Sequence, residues 1–296
     1  MTTRTVGALF GDIKIAHTLF ALPFALLATG LALTTAPQAV GGAALLPKVI
    51  AILTCMFGAR TWAMAINRYA DAQLDGANPR TAQRALPSGR AAPHHMLGLA
   101  LFGGLLFAAG AAALSRAALA CSLPVMAILA SYSYMKRFTW LCHFWLGLCL
   151  GLAPVAAWLA LRGVIHGPLV VLGAGIMFWV GGFDIVYALQ DEAFDRKHNL
   201  RSIPAAFGTT RALTIARCSH AMALVLFAVA LVKLDLAGAA AVGVPLAGAL
   251  LLWQHLAIAK RGERAIPFAF FNLNAWIAIG LLVAAILDVT LRKGIL

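Results

Sequence analysis

Acidic residues are scarce in this chain: ten Asp and Glu in 296 residues, against 23 Lys and Arg. Charged residues of both signs make up only 11%, less than half the roughly 25% of a soluble globular domain. That shortage excludes an ordinary water-soluble fold. Cysteine is sparse and unpatterned. Cys55, Cys121, Cys142, Cys149 and Cys218 form no CxxC pair, so neither a zinc motif nor a disulfide framework is implied, and they read as small buried hydrophobes. The eight His residues show no metal-ligand spacing, and His94-His95 falls in a connection without acidic or thiol company. Met1 to Lys14 carries no cleavable signal pattern, so the first apolar segment is expected to begin near Ile13. Strands of alternating apolar and polar residues are also missing, which excludes a membrane barrel.

What is present is apolar sequence, 62% of the chain, in repeated runs of about 20 residues, the length of a membrane-spanning helix. The expectation is an all-α polytopic membrane protein, a single domain over 1–296. Nine spans are predicted, near 14–35, 46–68, 96–114, 117–135, 139–161, 167–190, 212–233, 236–258 and 267–290. They would surround a central cavity. Two connections are long and polar, 69–95 and 191–211. The spans preceding them are four apart, so both connections leave the membrane on one side. Sixteen Lys and Arg lie at the N-terminus and on that side, against six on the other. The positive-inside bias makes the motif face cytoplasmic, in a bacterial inner membrane. The basic excess serves topology and an anionic lipid or phosphate, not nucleic acid, and nothing specifies an oligomeric state.

Five of the ten acidic residues fall in two short stretches. The first runs from Asn67 through Asp71 to Asp75; the second runs from Tyr187 through Asp191 to Asp195, each position 120 residues on. Carboxylates four apart share one helix face, and two such faces at span ends would form a metal cradle. Arg60 lies two turns before Asn67 on the same stripe, inside a span, where Arg needs a partner or a cavity. After Gly76-Ala77-Asn78-Pro79 comes a loop holding Arg80, Thr81, Arg84, Ser88 and Arg90. Either these arginines neutralise Asp, or both address one ligand, Asp through a divalent cation and Arg through phosphate oxygens. Arg90 reads best as a topology signal. Asp184 continues the second stripe inward, as a paired structural carboxylate (to Arg60, for example) or as a substrate contact. Glu192 falls off the stripe as a solvated charge. His17, Asn272 and Asn274 read as packing or interhelical hydrogen-bond groups.

The phrase NRYADAQLDGANPRTAQRALPSGR resembles the first aspartate-rich motif of the UbiA superfamily of intramembrane prenyltransferases. Asn67, Asp71, Asp75, Arg80, Thr81 and Arg84 match the pattern; Arg68, where many members have Asp, and Ala85, where many have Pro, depart from it. Tyr132, Lys136, Arg137 and Thr139 are similar to a hairpin of the 4-hydroxybenzoate polyprenyltransferases, in which the Lys is expected to bind diphosphate. FDIVYALQDEAFDRKHNLRSIPAAFG resembles the same branch, some of it associated with futalosine-route menaquinone synthesis. Asn199 stands where Gly is frequent, a change that left-handed helix-cap geometry tolerates. The resemblance implies Mg²⁺ held by Asn67, Asp71, Asp75, Asp191 and Asp195. It implies an isoprenyl diphosphate met by Arg60, Arg80, Arg84, Lys136 and Arg137. Asp71, Asp191, Lys136 and Tyr187 are then the expected catalytic residues, the Tyr187 face steadying an allylic cation. The other substrate is an aromatic acid, 4-hydroxybenzoate or a related naphthoate; haem, chlorophyll and glycerol phosphate are alternative acceptors. A cation-coupled transporter also explains intramembrane charge, but transporters place coupling carboxylates near the midplane, and these cluster at one face.

Overall fold

Runs that are apolar on every side become helices that satisfy their own backbone, and in the computed structural model all regular elements among the described residues are helical. The described residues are 7, 11–12, 20–35 and 45–292. The long helices are α1 Leu22–Thr35, α2 Leu45–Ala70, then (after a short α3, Ala72–Ala77) α4 Pro93–Leu114 and α5 Arg116–Phe138. They continue as α6 Cys142–Arg162, α7 Gly167–Ala188, a short α8 Glu192–Lys197, α9 Ile203–Lys233, α10 Ala237–Arg261 and α11 Asn274–Arg292. Seven stretches are long and apolar enough to cross a bilayer. The last of these, Ala237–Leu291, contains both α10 and α11, and Leu22–Thr34 is a shorter apolar helix.

The chain divides into two compact units. The first contains α2 to α4 and α5 as far as Met135; the second contains α1 and the chain from Lys136 onward. In the first unit α2 and α4 approach backbone to backbone. A Cβ on Gly58 would lie 2.5 Å from the Phe107 nitrogen, and one on Gly103 would lie 2.6 Å from that of Trp62. Small residues at such crossings let membrane helices gain close packing where water gives no drive. Trp62 Nε1 donates to the Met126 carbonyl at 2.9 Å and ties α5 to α2. Ala85 and Ala91, from the Arg-bearing loop, pack with Ala65, Met96 and Ala100. That small apolar cluster seats the loop.

In the second unit α7 is the buried centre, flanked by α6 and α9. A Cβ on Gly173 would lie 2.5 Å from the Gly151 carbonyl oxygen, so α6 and α7 meet at glycine on both sides. Phe20, Trp179, Phe183 and Phe270 form an edge-to-face aromatic cluster. Asn274 Oδ1 accepts from Trp179 Nε1 at 2.9 Å, and its Nδ2 donates to the carbonyls of Ala269 and Phe270. This is the interhelical role expected of Asn274; it also serves a π-helical turn at Ala269–Leu273. Asn272 is exposed, which corrects its expected role. His17 lies outside the described residues.

Several expected boundaries move. The polar stretch 191–211 is largely helical: it holds α8 and the first turns of α9. The run expected at 212–233 is preceded by a short apolar helical turn that begins at Ile203, and Gly208, at φ 78° and ψ 162°, breaks the helix between the two. His94 and His95 sit in the first turn of α4, where His95 Nδ1 accepts from the Ala92 backbone N–H. Cys218 is exposed rather than buried. It shares the outward stripe of α9 with Met222 and Val225, and a lipid-facing stripe accommodates a small apolar thiol.

Candidate functional site: two acidic helix ends with their cations

Each acidic stretch sits where a long apolar helix steps into a short one. Between α2 and α3 the i→i−4 bonding continues, with Asp71 N–H donating to the Asn67 carbonyl at 2.9 Å and Asp75 N–H to that of Asp71 at 2.7 Å. Asn67, Asp71 and Asp75 therefore keep one helical face, as their spacing predicts. Asp71 itself is unwound to φ −98°, ψ 8°. Asp191 occupies the matching step after α7, at the end of a 3₁₀ turn (Leu189–Asp191), with φ −107° and ψ 5°. The 120-residue correspondence seen in the sequence is also a correspondence of backbone state.

In the first stretch the Asn67 Nδ2 donates to Asp71 Oδ2 at 2.9 Å. Arg84 Nη1 bridges both oxygens of the buried Asp75, at 2.6 and 2.7 Å. Thr81 Oγ1 donates to the Asp75 carbonyl at 3.0 Å, and Asn78 Oδ1 accepts from the Arg80 backbone N–H at 3.0 Å. The Arg loop is thus folded back onto the carboxylate helix by its own polar groups. Arg80 is exposed and Arg60 half-buried. Arg90 bonds to Ser88 and to the Gln83 carbonyl.

Both departures from the family pattern meet at one acidic residue. Asp12 Oδ2 accepts from the Ala85 backbone N–H at 2.7 Å, a hydrogen that proline does not have. The Asp12 carbonyl accepts from Arg68 Nε at 3.4 Å, while Arg68 Nη1 holds Asn67 Oδ1 at 2.7 Å. Sequence reasoning passed over Asp12. Its partner Ala85 lies 73 residues away, and no local pattern connects them.

In the second stretch Lys136 Nζ lies 3.0 Å from Asp195 Oδ1. Asp195 is fully buried, and its Oδ2 has no hydrogen-bond partner. The helix end that carries it is fixed by a Schellman cap. Leu200 N–H donates to the Asp195 carbonyl at 2.8 Å, Asn199 N–H to that of Arg196 at 3.3 Å, and Asn199 is left-handed at φ 55°. Arg201, a second residue not singled out from sequence, clamps the hairpin. Its N–H donates to the Lys136 carbonyl at 2.7 Å and its Nη1 to that of Phe138 at 2.8 Å, satisfying carbonyls that the end of α5 leaves open. Lys136 is thereby held at both its backbone and its side chain. Arg137 is half-buried. Tyr187 lies against Phe270, with ring centroids 4.4 Å apart. Glu192, expected to be solvated, pairs with Arg196 at 2.8 Å and accepts from Thr209 Oγ1 at 2.6 Å; the helical start of α9 brings Thr209 to it. Asp184 takes His143 as its partner, at 2.7 Å.

The donors in both stretches are carboxylate and carboxamide oxygens, which suit a hard divalent cation. Among the described residues no three His, Cys, Asp or Glu side chains form a protein-only cage. Mg²⁺ commonly binds through one or two carboxylates and completes its shell with water and substrate phosphate. The unpartnered Asp195 Oδ2 is an oxygen that such a cation would satisfy.

Among the described residues, then, carboxylates stand beside Arg and Lys at the ends of helices long and apolar enough to cross a membrane. Comparison with known proteins gives the family: residues 15–278 match the UbiA prenyltransferase family, and the chain belongs to it. It is a prenyltransferase by that membership. It is similar to the 4-hydroxybenzoate octaprenyltransferases of Thiobacillus denitrificans, 29% identical over 235 residues, 79% of this chain and 80% of that one, and of Pseudomonas syringae pv. syringae, 28% identical over 252 residues, 85% and 84%. Among solved structures, a UbiA homologue from Aeropyrum pernix aligns with a TM-score of 0.80 at 31% identity, covering 93% of this chain and 99% of that one. A UbiA homologue from Archaeoglobus fulgidus, bound to DMAPP and Mg²⁺, shares the fold at a TM-score of 0.68 and 19% identity, over 95% and 99%.

Proposed function

We propose that this protein transfers a polyprenyl group from an isoprenyl diphosphate to a hydroxylated aromatic acid, 4-hydroxybenzoate or a related naphthoate, in quinone biosynthesis, with Mg²⁺. The chain acts as one domain in a bacterial inner membrane, crossing it nine times, with both acidic stretches at the cytoplasmic face. The observation that carries this reading is the pairing of a carboxylate with a cation in each stretch, Asp75 with Arg84 and Asp195 with Lys136. A diphosphate and its metal need both signs of charge in one place.

The reaction breaks the allylic C–O bond, which gathers charge on the departing diphosphate and leaves an allylic cation. Asn67, Asp71, Asp75, Asp191 and Asp195 would hold Mg²⁺, which when bound would supply charge stabilisation for that leaving group. Arg84 and Lys136 are positioned by their carboxylates before substrate arrives, so little reorganisation is needed when charge develops. Arg60, Arg80 and Arg137 add contacts to phosphate oxygens. Tyr187, its ring tilted 38° to that of Phe270, offers an aromatic surface to the cation. The apolar helices exclude water, which would otherwise trap the cation as an alcohol, and give the isoprenoid tail a lipid-like path. The test is product mass after detergent-solubilised protein meets Mg²⁺, isoprenyl diphosphates of several lengths and a mixture of aromatic acceptors. A prenylated hydroxybenzoate or hydroxynaphthoate is expected. Consumption of no isoprenyl diphosphate in the absence of any ion gradient overturns the reading.

A further inference from the structure

Asp184 and His143 are not used in the scheme above, yet they form a short polar contact in the second unit. His143 lies in the first turn of α6 and is 3% exposed. Its Nε2 accepts from the Ile203 backbone N–H at 3.2 Å. A backbone N–H only donates, so this bond places the imidazole hydrogen on the other nitrogen. Nδ1–H therefore donates to Asp184 Oδ2, at 2.7 Å. The ring is a neutral, single-tautomer clamp. It grips the first residue of α9 with one nitrogen and the carboxylate of α7 with the other.

The carboxylate so held is not sealed in. Phe183 and Ile185 on either side are 1% and 0% exposed, whereas the Asp184 side chain keeps 18%. Asp184 shares a face with Tyr187 and Ala188, three and four residues on, and with Met177, seven residues back; all four are half-buried, while residues 179–183, 185 and 186 between and beside them are buried. That face is apolar and aromatic, and Asp184 is the acidic group on it. Among the described residues Oδ1 has no partner. Seven residues separate Asp184 from Asp191, about 10 Å along a helix, which sets it one ring-sized step deeper than the second acidic stretch. An intramembrane carboxylate with one oxygen anchored and the other presented is a functional group by default.

We propose that Asp184 is the base that takes the hydroxyl proton of the aromatic acceptor, and that His143 is the positioning residue that aims it. The proposal rests on the prenyl-transfer reading and names the acceptor's subsite within it. Once the C1–O bond has broken and its electron pair has left with the diphosphate, the ring carbon beside the hydroxyl bonds to the cationic prenyl C1. The hydroxyl proton passes to Asp184 Oδ1, and the ring becomes a cyclohexadienone. Transfer of the ring C–H proton to the dienone oxygen restores the phenol, and Asp184 returns its proton to water. The neutral His143 lends Asp184 a hydrogen bond without cancelling its charge, which keeps the carboxylate a competent acceptor.

Two reactions of the full-length protein in detergent or nanodiscs separate the possibilities: acceptor prenylation, and the slow release of diphosphate from isoprenyl diphosphate without acceptor. Asp184→Asn is expected to lower kcat for prenylation about 100-fold or more, the range for a lost general base, with acceptor-free diphosphate release within about twofold of wild type. His143→Leu is expected to lower kcat/KM for the acceptor roughly tenfold with KM for isoprenyl diphosphate unchanged. His143→Gln, which retains a donor for Asp184, recovers most of that loss. Undiminished prenylation by Asp184→Asn overturns the proposal, and so does an equal loss of both reactions. Should His143→Leu elute as aggregate, Asp184→Asn and His143→Gln decide between the outcomes. Absence of both reactions in the wild type overturns the underlying prenyl-transfer reading instead.

Discussion

The two acidic stretches have the same backbone and different bonding. Asp71 and Asp191 sit at equivalent helix steps, φ −98° and −107°, ψ 8° and 5°, and each is followed four residues later by a buried Asp. The cation that meets that second Asp comes from different distances in the chain. Arg84 reaches Asp75 from nine residues away, on the loop that the helix itself runs into. Lys136 reaches Asp195 across 59 residues, from the end of α5. The first pair is a local structure, steadied by Thr81 and Asn78. The second exists only because Arg201 and the Schellman cap hold two remote segments together. One chemical arrangement is reached once by loop design and once by tertiary packing.

If the two steps are equivalent in catalysis as in backbone, Asp71→Ala and Asp191→Ala should each abolish Mg²⁺-dependent prenylation, about 1,000-fold or more, since each removes charge stabilisation of the transition state. Chelation of the divalent ion should match them, and added Mg²⁺ should restore only the wild type. Near-normal turnover in either variant breaks the comparison. A smaller effect tests the difference between the pairs. Lys136→Ala strands a carboxylate with no exposed side-chain surface and is expected to lower kcat about 100-fold and thermal stability with it, whereas Arg84→Ala leaves an Asp75 side chain that keeps 9% exposure and costs roughly tenfold, chiefly in KM for isoprenyl diphosphate. Equal losses would mean that burial does not distinguish them. Smaller again, Ala85→Pro removes the N–H that Asp12 accepts and should cost about 1 kcal/mol of stability, read from thermal unfolding. At the small end, Asn199→Gly should leave stability unchanged, while Asn199→Val, strained in the left-handed region, costs about 1–3 kcal/mol. A loss with Gly would show that the Asn side chain, rather than its backbone tolerance, secures the cap.

Much of this was legible in the chain itself. Helices announce themselves where apolar runs reach bilayer length, and most expected boundaries fall within three residues of the observed ones. Asn67, Asp71 and Asp75 share a face because helical periodicity is a local property, and Asn199 takes the left-handed cap that its residue type allows. The misses have a common origin. The helix start at Ile203 was hidden because its apolar opening, 203–207, is only five residues long, carries Pro204 and runs into Gly208, the two residue types that punctuate loops. Glu192 looked solvated because Thr209, its partner, belongs to that unrecognised helix. Asp12, His143 and Arg201 carried no signal, since each acts through a contact at least 41 residues away in sequence.

By itself, then, the sequence determined a helical membrane chain, the position of its two acidic faces and the family chemistry that they resemble, because hydrophobic length and i→i+4 spacing need no tertiary information. Only the folded structure decided which cation meets which carboxylate, that the Ala85 N–H, which a proline would lack, bonds to Asp12, and that His143 is the partner of Asp184. Those are pairings between distant segments. Their geometry comes from packing, which a one-dimensional pattern does not contain.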